Sequence, residues 1–163
     1  MGCVTLVSYA VLVNGCPTDF FPVGRGLRQG FPLSPLLFLL VIEGLSRLII
    51  KAKAEGNING IKISGNLSIC HLLFVNDIMI FGSSSIAEWH VYYELIKEFC
   101  NVSGLSINTK KYLLLENEAS AVDLLKIKDL FQVQSFPFVV CTRYLGYFIK
   151  PNGYKAGDWL WLL

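Results

Sequence analysis

The sequence predicts an α+β fold, and three observations carry that prediction. Short apolar runs are separated by turn pairs at Asn14-Gly15, Gly65-Asn66 and Asn76-Asp77, the pattern of antiparallel hairpins. Ser34 to Glu55, Ser85 to Gly104 and Ala119 to Phe131 change instead to helical spacing, with apolar residues recurring on one face. No repeat or linker divides the 163 residues, a length that suits one domain with a core of its own.

Composition narrows the class. Hydrophobic residues make up 53% and charged residues 16%, and the mean hydropathy of +0.52 is high for a globular chain, so much of the surface is expected to be covered. A formal charge of +2 does not by itself select nucleic acid as a partner, since phosphate binding depends on a local basic surface. Cys3, Cys16, Cys70, Cys100 and Cys141 form no CxxC pair and are expected to be reduced core residues. With only His71 and His90 beside them, the spacing of a zinc site is absent. The N-terminus carries no secretory pattern, and an intracellular protein is expected.

In chain order, Cys3 to Val13 and Cys16 to Val23 form a hairpin around Asn14-Gly15, because Asn and Gly accept the left-handed backbone of a tight turn. Gly24-Arg25-Gly26-Leu27-Arg28-Gln29-Gly30 follows: its glycines permit close backbone approach and its arginines supply cationic forks, but it lacks the Lys-Ser/Thr ending of a P-loop. Ser34 is placed to cap a helix and Pro35 to occupy its first turn. Glu43, Arg47, Lys51 and Glu55 form its charged stripe, with Leu36 to Ile42 and Leu45 to Ile50 as buried faces. Glu43 and Arg47 interrupt this stretch before the roughly 20 apolar residues of a bilayer span, so no membrane partner is expected.

Ile58 to Ser64 and Leu67 to Phe74 are expected strands, and Ser85 with Glu88 is a capping-box pattern opening a helix that stops at Gly104. Lys110-Lys111 mark a solvated turn before a strand from Tyr112 to Leu115. Phe136 to Ile149 is strand-rich around Tyr144-Leu145-Gly146, and the chain ends on Trp159, Trp161 and apolar neighbours.

Two apolar runs meet at Asn76-Asp77 in His71 to Phe81. One reading is a structural turn. The other is a carboxylate held rigidly at a hairpin tip and offered to a metal ion. The pair alone leaves both open.

Five segments, taken together, resemble a known family. Val11 to Gly15, Gly26 to Pro35 (Gly-Leu-Arg-Gln-Gly-Phe-Pro-Leu-Ser-Pro), His71 to Asp77, Ser103 to Lys111 and Tyr144 to Gly146 follow the order and spacing of reverse transcriptases from non-LTR (LINE-type) retrotransposons, particularly plant copies. The resemblance implies a polymerase palm, an antiparallel sheet with helices on one face, acting as an RNA-directed DNA polymerase. An RNA template and a DNA primer would be held over carboxylates that bind two Mg²⁺ ions for nucleotidyl transfer. It assigns Arg28, Gln29 and Gly30 to the incoming nucleotide and template, Asp77 to metal and catalysis, Lys111 to the pyrophosphate side as a proton donor, and Tyr144, Leu145 and Gly146 to the primer grip.

Departures from the family shape the functional expectation. Its hairpin tip is Phe-Ala-Asp-Asp, whereas this sequence has Phe74-Val75-Asn76-Asp77; an amide replaces the principal metal ligand, and hard cations gain affinity from ligand charge. The match places the start of this chain after the strand with the other essential carboxylate, and Asp19 is not positioned to replace it. Phe31 and Tyr112 stand where the family has Asp and Ser or Thr. The expectation is a partial, N-terminally truncated reverse transcriptase domain over residues 1–163, catalytically inactive, with an open sheet edge where another chain could pair. Two alternatives are a nucleic-acid-binding module using Arg25, Arg28, Lys110 and Lys111, and a translated remnant without function.

Overall fold

Pro35 near the start of a long run of helix formers, with no further proline before Pro137, lets one helix extend for 21 residues, Ser34–Ala54 (α1). Its start differs in detail from expectation. Leu33 holds the cap position and Ser34 already lies inside the helix, because the Ser34 amide donates to the Phe31 carbonyl (3.0 Å) and closes a turn one residue early. The charged stripe forms as expected: Arg47 Nε lies 2.9 Å from Glu43 Oε1, and Lys51 Nζ 3.9 Å from Glu55 Oε1. The buried face is narrower than the apolar run. Ile42, Leu45, Ile49 and Ala52 are buried, whereas Leu36, Leu39, Leu40, Val41 and Ile50 are exposed.

This computed structural model describes residues 8–22, 26–27, 30–65, 67–116, 120–137, 142–145, 147–149, 155 and 157, without the side chains of residues 110, 121, 142, 143 and 148. Before α1 lie four two-residue strands, Ser8–Tyr9 (β1), Leu12–Val13 (β2), Cys16–Pro17 (β3) and Phe21–Pro22 (β4). β2 pairs with β3 around Asn14 (φ 51°) and Gly15 (φ 84°), and β1 pairs with β4 in the same antiparallel sense. The expected opening hairpin is therefore present in the described residues. Cys16 on it is exposed, unlike the expected core cysteine, whereas Cys70 is buried.

After α1 come Ile61–Ser64 (β5) with Leu67–Ile69 (β6), and His71–Phe74 (β7) with Asp77–Ile80 (β8), both antiparallel. Residues 58–60 do not join β5. Ile86–Ser103 (α2) follows, with Ser85 at its cap position and Gly104 (φ 70°) in the left-handed conformation that stops it. Leu105 to Ile107 is not a strand; a 3₁₀ turn, Thr109–Lys111, leads to Leu114–Glu116 (β9). Ala121–Phe131 (α3) is capped by Ser120, whose Oγ accepts from the Asp123 amide. Ser135–Pro137 (β10), Thr142–Tyr144 (β11) and Tyr147–Ile149 (β12) complete the order. The expected tryptophan-rich end lies outside the described residues.

One expectation is corrected here. β9 and β10 pair in parallel, Ser135 opposite Leu114, because α3 lies between them and supplies the crossover a parallel pair requires. Among the described residues the strands form six two-stranded units, not one continuous antiparallel sheet. The protein is thus mixed helix and small sheets, five of the six antiparallel. Its core joins α1, α2 and the β7–β8 hairpin: Leu45, Ile49, Ile58, Cys70, Tyr92, Ile96 and Phe99 are buried, with Leu73, Ile78 and Ile80 packed against them. Among the described residues no helix is long and apolar enough to cross a membrane.

Candidate active site

The hairpin that carries Asp77 is built by alternation. Leu73 on β7 and Ile78 and Ile80 on β8 face the core, which leaves Leu72 (48% exposed) and Phe74 (55%) on the other face. Phe74 pairs with Asp77, so the two loop residues are Val75 and Asn76, and Asp77 is already in β8. This corrects the expected Asn76-Asp77 turn by one residue. Val75 sits at φ 50°, a left-handed conformation that a β-branched residue rarely takes. The packed strands fix where the loop must turn, and the side chain at that point accepts the strain.

Fastenings behind the hairpin come from distant sequence. At its base the Phe81 amide donates to the Cys70 carbonyl (2.9 Å). The Tyr92 phenol of α2, fully buried, lies 3.0 Å from that carbonyl and 2.8 Å from the Phe81 carbonyl. Burial pushes this phenol well above the usual tyrosine range, so it stays a donor. Glu88 is 2% exposed. Its Oε1 accepts from the Asn59 (2.9 Å) and Gly60 (2.8 Å) amides, and its Oε2 from the amide (3.0 Å) and hydroxyl of Ser83. Sequence spacing placed Glu88 in a capping box; the structure gives Ser85 no side-chain cap bond and spends the carboxylate on joining two loops to α2. Gly60 is required there, since a Cβ would lie 2.2 Å from the Ile69 carbonyl oxygen.

His71 links β7 to α1. Its Nε2 lies 2.9 Å from Ser46 Oγ and its Nδ1 3.2 Å from Cys70 Sγ. Burial, then the nearby Lys53 charge, holds its pKa below 6.5, with Glu43 partly opposing. Nearby, Lys53 Nζ donates to the Ser68 carbonyl (2.6 Å).

The expected site residues are distributed as follows. Asn76 and Asp77 are exposed at the hairpin tip. Tyr144 ends β11, and its phenol is held above the usual range first by burial and then by the charge of Asp77. Among the described residues the buried Tyr144 hydroxyl has no hydrogen-bond partner, and Leu145 beside it has φ 50°, matching Val75. Lys111 is exposed at the end of the Thr109–Lys111 turn, its amide donating to Asn108. Gly30 has φ 80° with open space around it, so backbone conformation, not crowding, favours glycine. Arg25, Arg28, Gln29, Gly146 and the side chain of Lys110 lie outside the described residues.

The described donors do not fit a pair of divalent ions. Asn76 brings no charge, and among the described residues no three His, Cys, Asp or Glu side chains come together, whereas hard cations need several oxygen ligands and their charge. Sequence reasoning missed Glu88, Tyr92 and the Ser46–His71 link as supports of the hairpin. Their roles depend on partners 22 to 29 residues away, and no local pattern announces them.

Comparison with known proteins agrees with this architecture. Residues 2–149 match the family described as reverse transcriptase (RNA-dependent DNA polymerase). An uncharacterized mitochondrial protein of Arabidopsis thaliana is 44% identical over 79 residues, 48% of this chain and 60% of that protein. The retrovirus-related Pol polyprotein from the type-1 retrotransposable element R2 of Popillia japonica is 27% identical over 158 residues, 90% of this chain and 21% of the polyprotein. That of the type-2 element R2DM of Drosophila melanogaster is 30% identical over 98 residues, 60% of this chain and 8% of the polyprotein. The chain thus spans 60% or less of the length of these relatives. With nearly its whole length matched, the chain belongs to the reverse transcriptase family, as the corresponding domain of a non-LTR retrotransposon.

Proposed function

We propose that this chain is a palm-type reverse transcriptase domain in which the hairpin has lost nucleotidyl transfer. The observation that carries this reading is the Val75–Asn76 turn, which presents an amide where the family carries its first hairpin aspartate and leaves Asp77 as the hairpin's single carboxylate. A two-metal reaction needs ligands on both ions to stabilise the attacking and leaving oxygens, and one exposed carboxylate falls short of that. Arg28, Gln29 and Gly30 would face nucleotide and template, Lys111 the pyrophosphate side, and Tyr144, Leu145 and Gly146 the primer. The charge of Asp77 acting on the Tyr144 phenol supports the last of these.

Primer extension by the purified 163-residue chain on an RNA template, with Mg²⁺ or Mn²⁺, should give no metal-dependent incorporation. Asn76→Asp alone should remain inactive, because among the described residues Asp77 is not joined in a metal-sized cluster. Clear incorporation by the unaltered chain would overturn the proposal.

A second reading, retained nucleic-acid binding without catalysis, is favoured by the exposed Lys111 at the end of the 3₁₀ turn. It predicts RNA or DNA binding that weakens with salt through counterion release and falls when Arg28 and Lys111 are changed to alanine. Binding that ignores salt and both substitutions would refute it.

A further inference from the structure

We propose that His71 is a proton-operated fastening between helix α1 and the β7–β8 hairpin, released on acidification while Tyr92 keeps the hairpin on α2. The inference is independent of whether nucleotidyl transfer is lost. It rests on the two-sided bonding of one imidazole. Nε2 meets Ser46 Oγ on α1 at 2.9 Å, and Nδ1 meets Cys70 Sγ, 6% exposed, at 3.2 Å. A neutral ring satisfies this arrangement in either tautomer, donating at one nitrogen and accepting at the other.

Protonation changes the balance. Both nitrogens then donate, toward a hydroxyl that must turn to accept and a thiol that accepts weakly, and the new charge stands in a half-buried gap. The groups facing it are Lys53 and Glu43 from α1, with Glu43 already paired to Arg47. Cys70 is its neighbour in sequence, Ile80 lies opposite across the hairpin, and the Tyr92 phenol of α2 is bonded to the Cys70 carbonyl. The ammonium of Lys53 repels the imidazolium, and burial disfavours it further. An opened α1–β7 contact gives the charged ring water, so proton uptake favours opening. Tyr92 holds the hairpin base on α2 through a phenol that does not depend on this proton, and Glu88 joins the flanking loops to the same helix, so the opening falls on the α1 contact.

The test is amide hydrogen exchange along β7 and β8 at pH 7.5, 6.5 and 5.5, corrected for the intrinsic pH dependence of exchange. Corrected exchange of these amides should quicken by at least about threefold toward pH 5.5, while amides of α2 near Phe99 hold steady. In His71→Gln the pH response should vanish. Should that variant fail to fold, Ser46→Ala serves instead: exchange at pH 7.5 should already be raised, and the NMR titration of the His71 ring in the unaltered chain should run through the same pH window as the hairpin amides. A flat profile, an unchanged response in His71→Gln, a ring titration outside that window, or an equal response in α2 would each overturn the proposal.

Discussion

Two hairpins of this molecule each turn through two residues and have opposite surroundings. β2–β3 turns through Asn14 and Gly15, residues suited to positive φ, and every described residue from Val11 to Pro22 is exposed. β7–β8 turns through Val75 at φ 50°, a poor residue for that conformation, yet its Leu73, Ile78 and Ile80 pack against the core cluster and it is bonded at its base. Good turn chemistry sits where the described residues are exposed, and poor turn chemistry is tolerated where tertiary contacts determine the path. The hairpin that carries Asn76 and Asp77 is therefore defined from behind.

The comparison can be broken most severely from behind. Gly60→Ala forces a Cβ against the Ile69 carbonyl at φ 68° and should cost about 3 kcal/mol or more, lowering the midpoint of denaturant unfolding sharply. Glu88→Ala strands the Asn59, Gly60 and Ser83 donors and should cost about 3 kcal/mol in the same measurement. Tyr92→Phe leaves the Phe81 carbonyl without its phenol partner; about 1–2 kcal/mol is expected, with faster amide exchange at the hairpin base. Val75→Gly should sharpen the contrast in the other direction, raising stability by up to about 1 kcal/mol through relief of the left-handed strain, net of glycine's own entropy cost. Phe20→Ala on the unbacked side, 78% exposed, should change stability by less than about 0.5 kcal/mol.

Two pH effects read burial at separate places, His71 on the β7–β8 hairpin and Tyr112 after the 3₁₀ turn. His71 is held below 6.5 in the fold, so the stability it contributes is complete above that value and is lost as pH falls from 6.5 through the lowered pKa. Tyr112 is pushed up to about 12 by burial, with Cys100 and Tyr93 adding to it. Its contribution is complete below 10, the ordinary value, and is lost as pH rises from there through about 12. Unfolding midpoints measured from pH 5 to 8 and again from pH 9 to 12 read the two ends, and loss of either slope in His71→Gln or Tyr112→Phe identifies its source.

Local chemistry made much of this legible. Asn14-Gly15 announced a turn, Gly104 a helix end, Pro35 a helix start, and the Glu43–Arg47 spacing an ion pair, each because the responsible interaction spans four residues or fewer. The family was legible too, through ordered motifs that include the Asn76-Asp77 tip. The one-residue position of that turn was not, since Val75 contradicts the usual turn preference and only the packing of Leu73 and Ile78 fixes the register.

By itself, then, the sequence determined the helices, the local hairpins, the family and the substitution of Asn76, all properties of residue identity and short spacing. Tertiary structure decided which residues of α1 are buried, that β9 and β10 run parallel, that Glu88 joins loops instead of capping its helix, and that Tyr92 and His71 tie one hairpin to two different helices. The reason is physical: buried hydrogen bonds and packing take their partners from across the chain, and a residue's local neighbours carry no record of which distant group will lie against it.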